Sequence, residues 1–224
     1  KEMLAKKRTE LVKISKGKRL LILGVILVVI DQVIKILVKT NMQIGEHFNV
    51  IGNWFQIFFI ENEGMAFGMK FGGAVGKFLL SFFRIALSGA LCWWIVSLVR
   101  KSVDSKGTLA LLPDGKPVVP TGVLVGLTLI TAGAFGNIID SLFYGVIFDY
   151  APLMFGRVVD MFYFPLIDTF WPDWVPFVGG DRLLFFAPVF NFADSCVTVG
   201  AFYLILFQNR FFTRAEEKKD DEKK

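Results

Sequence analysis

FNFADSCVTVGAFYLILFQ, residues 190–208, sets a single carboxylate, Asp194, at the head of an apolar run that carries no further charge until Arg210. The run reads as a membrane-crossing helix. A carboxylate at membrane depth costs about 2.5–3.5 kcal/mol on insertion scales, so one that is kept marks a functional site by default. Residues 156–164, GRVVDMFYF, set Asp160 in equally apolar sequence with few cations nearby, which suggests that the two aspartates act as a pair.

The rest of the chain agrees with a membrane reading. Of 224 residues 54% are hydrophobic, 25 of them Phe, and mean hydropathy is +0.56. Several stretches approach the ~20 apolar residues needed to cross a ~30 Å hydrocarbon core. The expected fold is membrane α-helical, a single four-helix transmembrane domain over residues 20–208. A basic segment, 1–19, precedes it, and a charged tail, 209–224, read as disordered, follows. The net charge of +5 does not indicate nucleic acid, because the basic residues sit at the ends and in short loops. Cys92 and Cys196 lie in apolar runs and read as buried thiols. His47 is the sole histidine, which leaves no metal-ligand set, and no cofactor is expected.

Spans are predicted at 20–39, 75–99, 118–139 and 190–208. Lys and Arg concentrate in the N-terminus, the 100–117 loop and the region after Arg210, so the positive-inside rule places both termini in the cytoplasm. Residues 41–73 read as short strands after the first helix, and 141–189 as a long aromatic loop between the third and fourth helices. Both fall on the outer face, with Trp54, Trp171 and Trp174 as interface anchors.

Five polar clusters interrupt this pattern. Asp31 and Lys35 stand at i and i+4, open to reading as a local ion pair or as a substrate-aligning pair. ENEGMAFG, 61–68, offers Asn62, Gly64 and Ala66 in either an ordinary turn or one that presents backbone to a ligand. TAGAFGNIIDS, 131–141, combines small residues suited to close helix packing with Gly136, Asn137 and Asp140. Asp160 is the fourth cluster. In the fifth, Asn191 and Asp194 are again i and i+3, with Ala193 between them.

Serines 141 and 195 lack a nearby His, and Lys35 is already matched by Asp31. Of the hydrolytic chemistries, the paired carboxylate remains: one Asp takes a proton from water and the other donates one to the substrate. Like charges about 3 Å apart cannot both ionise, and apolar surroundings reinforce that. The rival reading is a small proton- or cation-coupled transporter using the same aspartates, disfavoured by the lack of an internal repeat.

As a set, the clusters resemble the lipoprotein signal peptidase family, signal peptidase II. Asp31 with Lys35 is similar to its first motif, Asn62–Phe67 to N-x-G-x-A-F, Gly136–Asp140 to G-N-x-x-D, Val158–Met161 to V-V-D-F, and Phe190–Asp194 to F-N-x-A-D. The resemblance covers residues 20–208. It implies a monomeric aspartic endopeptidase of the bacterial inner membrane, with Asp160 and Asp194 catalytic at the periplasmic face. Asn137, Asp140 and Asn191 would support them. It also implies diacylglyceryl prolipoprotein substrates cut before the lipidated cysteine, membrane lipid between the helices, and inhibition by globomycin-like peptides. The chain departs from the family in carrying Ser141 where Arg usually follows the aspartate, with Arg157 as a candidate substitute. The segments around Asp160 are enlarged and are expected to form a lid or an interfacial half-helix.

Overall fold

The computed structural model describes residues 2–63, 73–104, 108–165, 167–185 and 188–213. The main helices are α1 (Glu2–Asn41), α2 (Gly73–Lys101), α3 (Thr121–Ile139) and α5 (Phe192–Phe207). A π-helical turn (Asp140–Tyr144) and the short α4 (Gly145–Ile147) extend α3. Strands β1 (His47–Ile51), β2 (Phe55–Asn62), β3 (Val158–Tyr163) and β6 (Val189–Phe190) form one antiparallel sheet in the order β1-β2-β3-β6. β4 (Ile167–Phe170) and β5 (Arg182–Phe185) form a separate antiparallel hairpin.

Among the described residues three helical stretches are long and apolar enough to cross a membrane: Lys16–Asn41, Gly73–Lys101 and Thr121–Ile147. Their outward side chains suit hydrocarbon: on α1 alone Leu21, Val25, Val29, Val33 and Leu37 are each at least half exposed. α5 is shorter. Its 16 residues reach about 24 Å at ~1.5 Å per residue. The helix expected over 190–208 begins at Phe192, since Val189 and Phe190 are paired with β3.

The chain divides into two compact units. The helical unit takes α1 up to Ile30, Phe82–Ile138, and the chain from Ala193; the second takes Asp31–Ser81 and Ile139–Phe192. The core of the helical unit is built from Leu20, Leu98, Val123, Leu124, Leu127 and Leu204. Here α3 and α5 touch through small residues. A Cβ at Gly133 would strike the Ala193 carbonyl and lie 2.8 Å from Val197 Cγ2, and one at Gly200 would lie 2.8 Å from the Gly126 carbonyl oxygen. The TAGAFG reading as a close-packing surface thus holds for Gly133 and extends to Gly126 and Gly200. Cys92 and Cys196 are thiols, Cys196 buried.

In the second unit the sheet packs Phe59, Val159 and Met161 against Val38 and Tyr144. Stacked rings bind its strands: Phe55 on Phe164 at 4.7 Å and Phe164 on Phe190 at 5.7 Å. The 141–189 segment is more than a loop, because its β3 pairs with β2 along Gln56–Asn62. The strands expected in 41–73 are present as β1 and β2. The expected interfacial half-helix is absent from the described residues. In its place stand β4, β5 and a tip where Trp174 and Phe177 are exposed, Phe177 with φ +69°.

Glycine substitutions separate the two kinds of site on these helices. Gly133→Val is expected to destabilise the protein by roughly 1–3 kcal/mol through overpacking against α5. Gly89→Ala, with nothing within 4 Å of the added carbon, is expected to be neutral or to stabilise α2 by up to about 1 kcal/mol. Thermal unfolding in micelles reads both; an unchanged midpoint for Gly133→Val contradicts the packing.

Candidate active site

The most costly group in the second unit is a fully buried ammonium. Lys35 is 0% exposed, and its Nζ lies 2.9 Å from Asp31 Oδ2 and 2.8 Å from Asp140 Oδ2. Asp31 and Asp140 are themselves buried, at 1% and 0%. The i,i+4 pair foreseen in DQVIK is therefore a triad, closed by a residue from the π-helical turn. Gln32 Nε2 donates to Asp31 Oδ2 at 3.1 Å and to Asp140 Oδ1 at 3.0 Å, while the Tyr144 hydroxyl donates to Gln32 Oε1 at 3.1 Å. Sequence reasoning missed Gln32 and Tyr144, although a glutamine in an apolar span was itself a signal. A buried charge is tolerable only when it is paired and its hydrogen-bonding capacity is met, and this network meets both conditions.

The triad reaches the sheet. Val159 N–H donates to Asp140 Oδ2 at 3.2 Å, which fixes β3 one residue before Asp160. The π-helical turn shapes the return of the chain. Ser141 and Leu142 carbonyls accept N–H groups from Gly156 and Met154 at 2.9 and 3.0 Å. Gly156 is required there, because a Cβ would strike the Asp140 carbonyl.

Asp160 is 2% exposed on β3, opposite Ile60 of β2. Asn191 Nδ2 donates to its Oδ1 at 2.6 Å and Asn62 Nδ2 to its Oδ2 at 3.3 Å. Asn191 is fully buried and precedes α5, so it does not share a helical face with Asp194 as the i, i+3 spacing suggested. In the helical unit Asp194 occupies the first turn of α5, where helix N–H groups best tolerate negative charge. Asn137 Nδ2 donates to Asp194 Oδ1 at 2.8 Å. Asn137 and Asp140, read as neighbours on one face, thus serve different partners. Gly136 and Ala193 are both buried beside these polar groups in sequence. Gly64 and Ala66 lie outside the described residues. Asp149 is exposed at φ +54° in a turn.

Arg157 does not substitute for the missing arginine: Asp140 is held by Lys35, and Arg157 Nη1 lies 3.2 Å from Glu61 Oε2. Glu61 also pairs with Lys39, whose ammonium stands 4.7 Å from the Phe148 ring centre and 4.8 Å from that of Tyr150. Glu61 faces Val159 in the β2–β3 register, so this second ion network clamps the strands beside Asp160. Burial raises the Tyr150 hydroxyl above its ordinary pKa, partly opposed by the Arg157 N–H bonded to it at 2.7 Å. Tyr150 therefore remains a neutral phenol under physiological conditions.

Lys35→Met is expected to cost roughly 3–5 kcal/mol, the scale for removing one partner of a buried ion network. Asp149→Asn, a change at an exposed turn, is expected to stay within about 0.5 kcal/mol. Thermal unfolding of the inserted protein compares them, and similar midpoints would contradict the triad's structural weight.

Residues 23–210 match the sequence model of a family described as signal peptidase (SPase) II. The chain is 46% identical over 209 residues to the lipoprotein signal peptidase of Porphyromonas gingivalis strain ATCC 33277, covering 87% of this chain and 84% of that one. It is 37% identical over 192 residues to the lipoprotein signal peptidase of Amoebophilus asiaticus strain 5a2, covering 82% and 75% respectively. Among solved structures, a bacterial membrane enzyme determined by the in meso method at 1.9 Å resolution aligns with TM-score 0.52 at 26% identity, over 84% of this chain and 91% of that one. A second, at 2.3 Å resolution, aligns with TM-score 0.56 at 24% identity, over 88% and 91%, a likeness of fold.

Proposed function

The chain belongs to the signal peptidase II family, the lipoprotein signal peptidases, and from that premise we propose that Asp160 and Asp194 are its catalytic pair. The protein is an aspartic protease that removes signal peptides from lipoproteins. Membership in the family sets aside the transporter reading of the same aspartates.

One carboxyl takes a proton from the attacking water while the other donates its proton to the scissile carbonyl oxygen; as the tetrahedral intermediate collapses, the first passes the water's proton to the leaving amine and the second recovers its own from the hydroxyl. The observation that carries the assignment is the set of amide donors. Asn191 and Asn62 each donate to one oxygen of Asp160, and Asn137 donates to Asp194. Such donors hold a carboxylate in one orientation, as catalysis requires of a group whose lone pair must point at water. The chemistry demands that the two carboxyls meet over one water, so residues 20–208 act as one peptidase domain. Asp31, Lys35 and Asp140 act by positioning, since their charges are satisfied within their own network.

The substrate is a prolipoprotein whose cysteine carries diacylglycerol, cut on the amino side of that cysteine. Its lipid lies between helices, and Gly64 and Ala66, in the N-x-G-x-A-F motif, take a substrate-binding or supporting role. α5 serves as the fourth span, both termini are cytoplasmic, and the active site opens at the periplasmic face of the inner membrane. The β4–β5 hairpin is a lid over that face. The enzyme works as a monomer, and globomycin-like peptides occupy the aspartate site.

Asp160→Asn and Asp194→Asn are each expected to reduce cleavage of a diacylglyceryl prolipoprotein by roughly 10²–10⁴-fold, the scale of lost acid–base catalysis. Insertion and thermal midpoint should stay near wild type. Asn191→Ala is expected to lower kcat less severely. Full cleavage by either aspartate variant would exclude the pair.

A further inference from the structure

The helical unit carries a cavity at the end of α5 remote from Asp194. Its volume is about 650 Å³, within the range of small-molecule sites. Its walls are largely apolar and include Trp93, Trp94 and Phe212, with the Trp94 and Phe212 rings 6.2 Å apart. Among the described residues three cations line it, Lys101, Lys116 and Arg210, and no carboxylate does. Asp114 meets Lys116 at 3.6 Å with both side chains well exposed, a solvated contact of little strength.

A further cation stands at this end of the unit. Lys16 Nζ is buried and has no hydrogen-bond partner among the described residues. Its neighbour Gly17 packs at 3.9 Å on Val99, next to Leu98 of the cavity wall. Buried cations are ordinarily matched by an anion or by hydrogen bonds. Basic pockets between membrane-spanning helices on the cytoplasmic side are a recurrent way of holding anionic headgroups, and tryptophans favour the same interfacial depth.

We infer that this groove is a binding site for an anionic phospholipid. The phosphate sits among Lys101, Lys116 and Arg210, and the acyl chains lie along Trp93, Trp94 and Phe212. The site is independent of the catalytic assignment. Charge complementarity selects the occupant: a zwitterionic lipid would match the apolar wall but bring no net negative charge to the three cations, its own ammonium opposing its phosphate.

Native mass spectrometry of the full chain, released from micelles doped with phosphatidylglycerol or phosphatidylcholine, tests this. The wild type is expected to retain phosphatidylglycerol in preference to phosphatidylcholine, with inorganic phosphate failing to displace it. Lys116→Gln, at an exposed position that leaves folding intact, is expected to weaken retention. The combined K101Q, K116Q and R210Q variant is expected to lose roughly tenfold or more, because each basic residue near the surface adds attraction for anionic lipid. Equal retention of the two lipids overturns the inference, as does wild-type retention in Lys116→Gln and the triple variant. Displacement by phosphate, or a bound mass equal to a second copy of the chain, also overturns it.

Discussion

A lysine ammonium with no access to solvent, in a helix that crosses a membrane, is the constraint around which the second unit is arranged. Lys35 cannot stay charged and buried without partners, and one carboxylate on its own helix would leave part of its donor capacity unmet. Asp140 supplies the second partner. To do so the chain must bring the end of α3 alongside α1, and a π-helical turn begins at Asp140 itself. π-helical turns inside α-helices often occur where function requires a locally altered register. Once Asp140 is fixed, its second oxygen receives the Val159 N–H, and β3 is set with Asp160 as the next residue. A charge requirement at membrane depth thereby becomes a positional requirement on a candidate catalytic group.

The two aspartates are supported by different physics. Asp160 sits on a strand inside a small sheet, held by amides from the end of β2 and from the residue before α5. Stacked rings and the Lys39–Glu61–Arg157 clamp keep those strands in register. Asp194 sits on a helix end, and its position depends on how closely α3 approaches α5. Glycines at 126, 133 and 200 permit that approach, and Asn137 on α3 receives its orientation from the same contact. In a bilayer, where apolar burial gives little preference for one helix partner over another, close backbone approach and side-chain hydrogen bonds decide which helices associate.

Much of this was legible in the sequence, and two of the misses share a cause. Asp31 with Lys35 could be read because the two lie one helical turn apart. Asp140 could not be joined to them, because Gln32 and Asp140, bonded in the structure, are 108 positions apart. Likewise VVDMFY is an apolar, β-branched run that periodicity alone cannot assign, and the strand that completes it carries Asn62, 98 positions earlier. Asn191 differs for a local reason: a helix counted from 190 puts it on the face of Asp194, whereas strand pairing of Val189 and Phe190 delays the helix to Phe192. That delay frees Asn191 to donate to Asp160. Nothing in the structure explains why Ser141 stands where the family usually has arginine.

The central claim is that Asp160 and Asp194 act on one water. It is tested most directly by a high-resolution structure of the chain with a substrate-mimicking peptide inhibitor bound. The account predicts that the nearest carboxyl oxygens lie about 3 Å apart, or that both lie within hydrogen-bond reach of a single polar atom of the inhibitor, roughly 2.6–3.2 Å. Carboxyls held too far apart for one water or one inhibitor atom to touch both would contradict it.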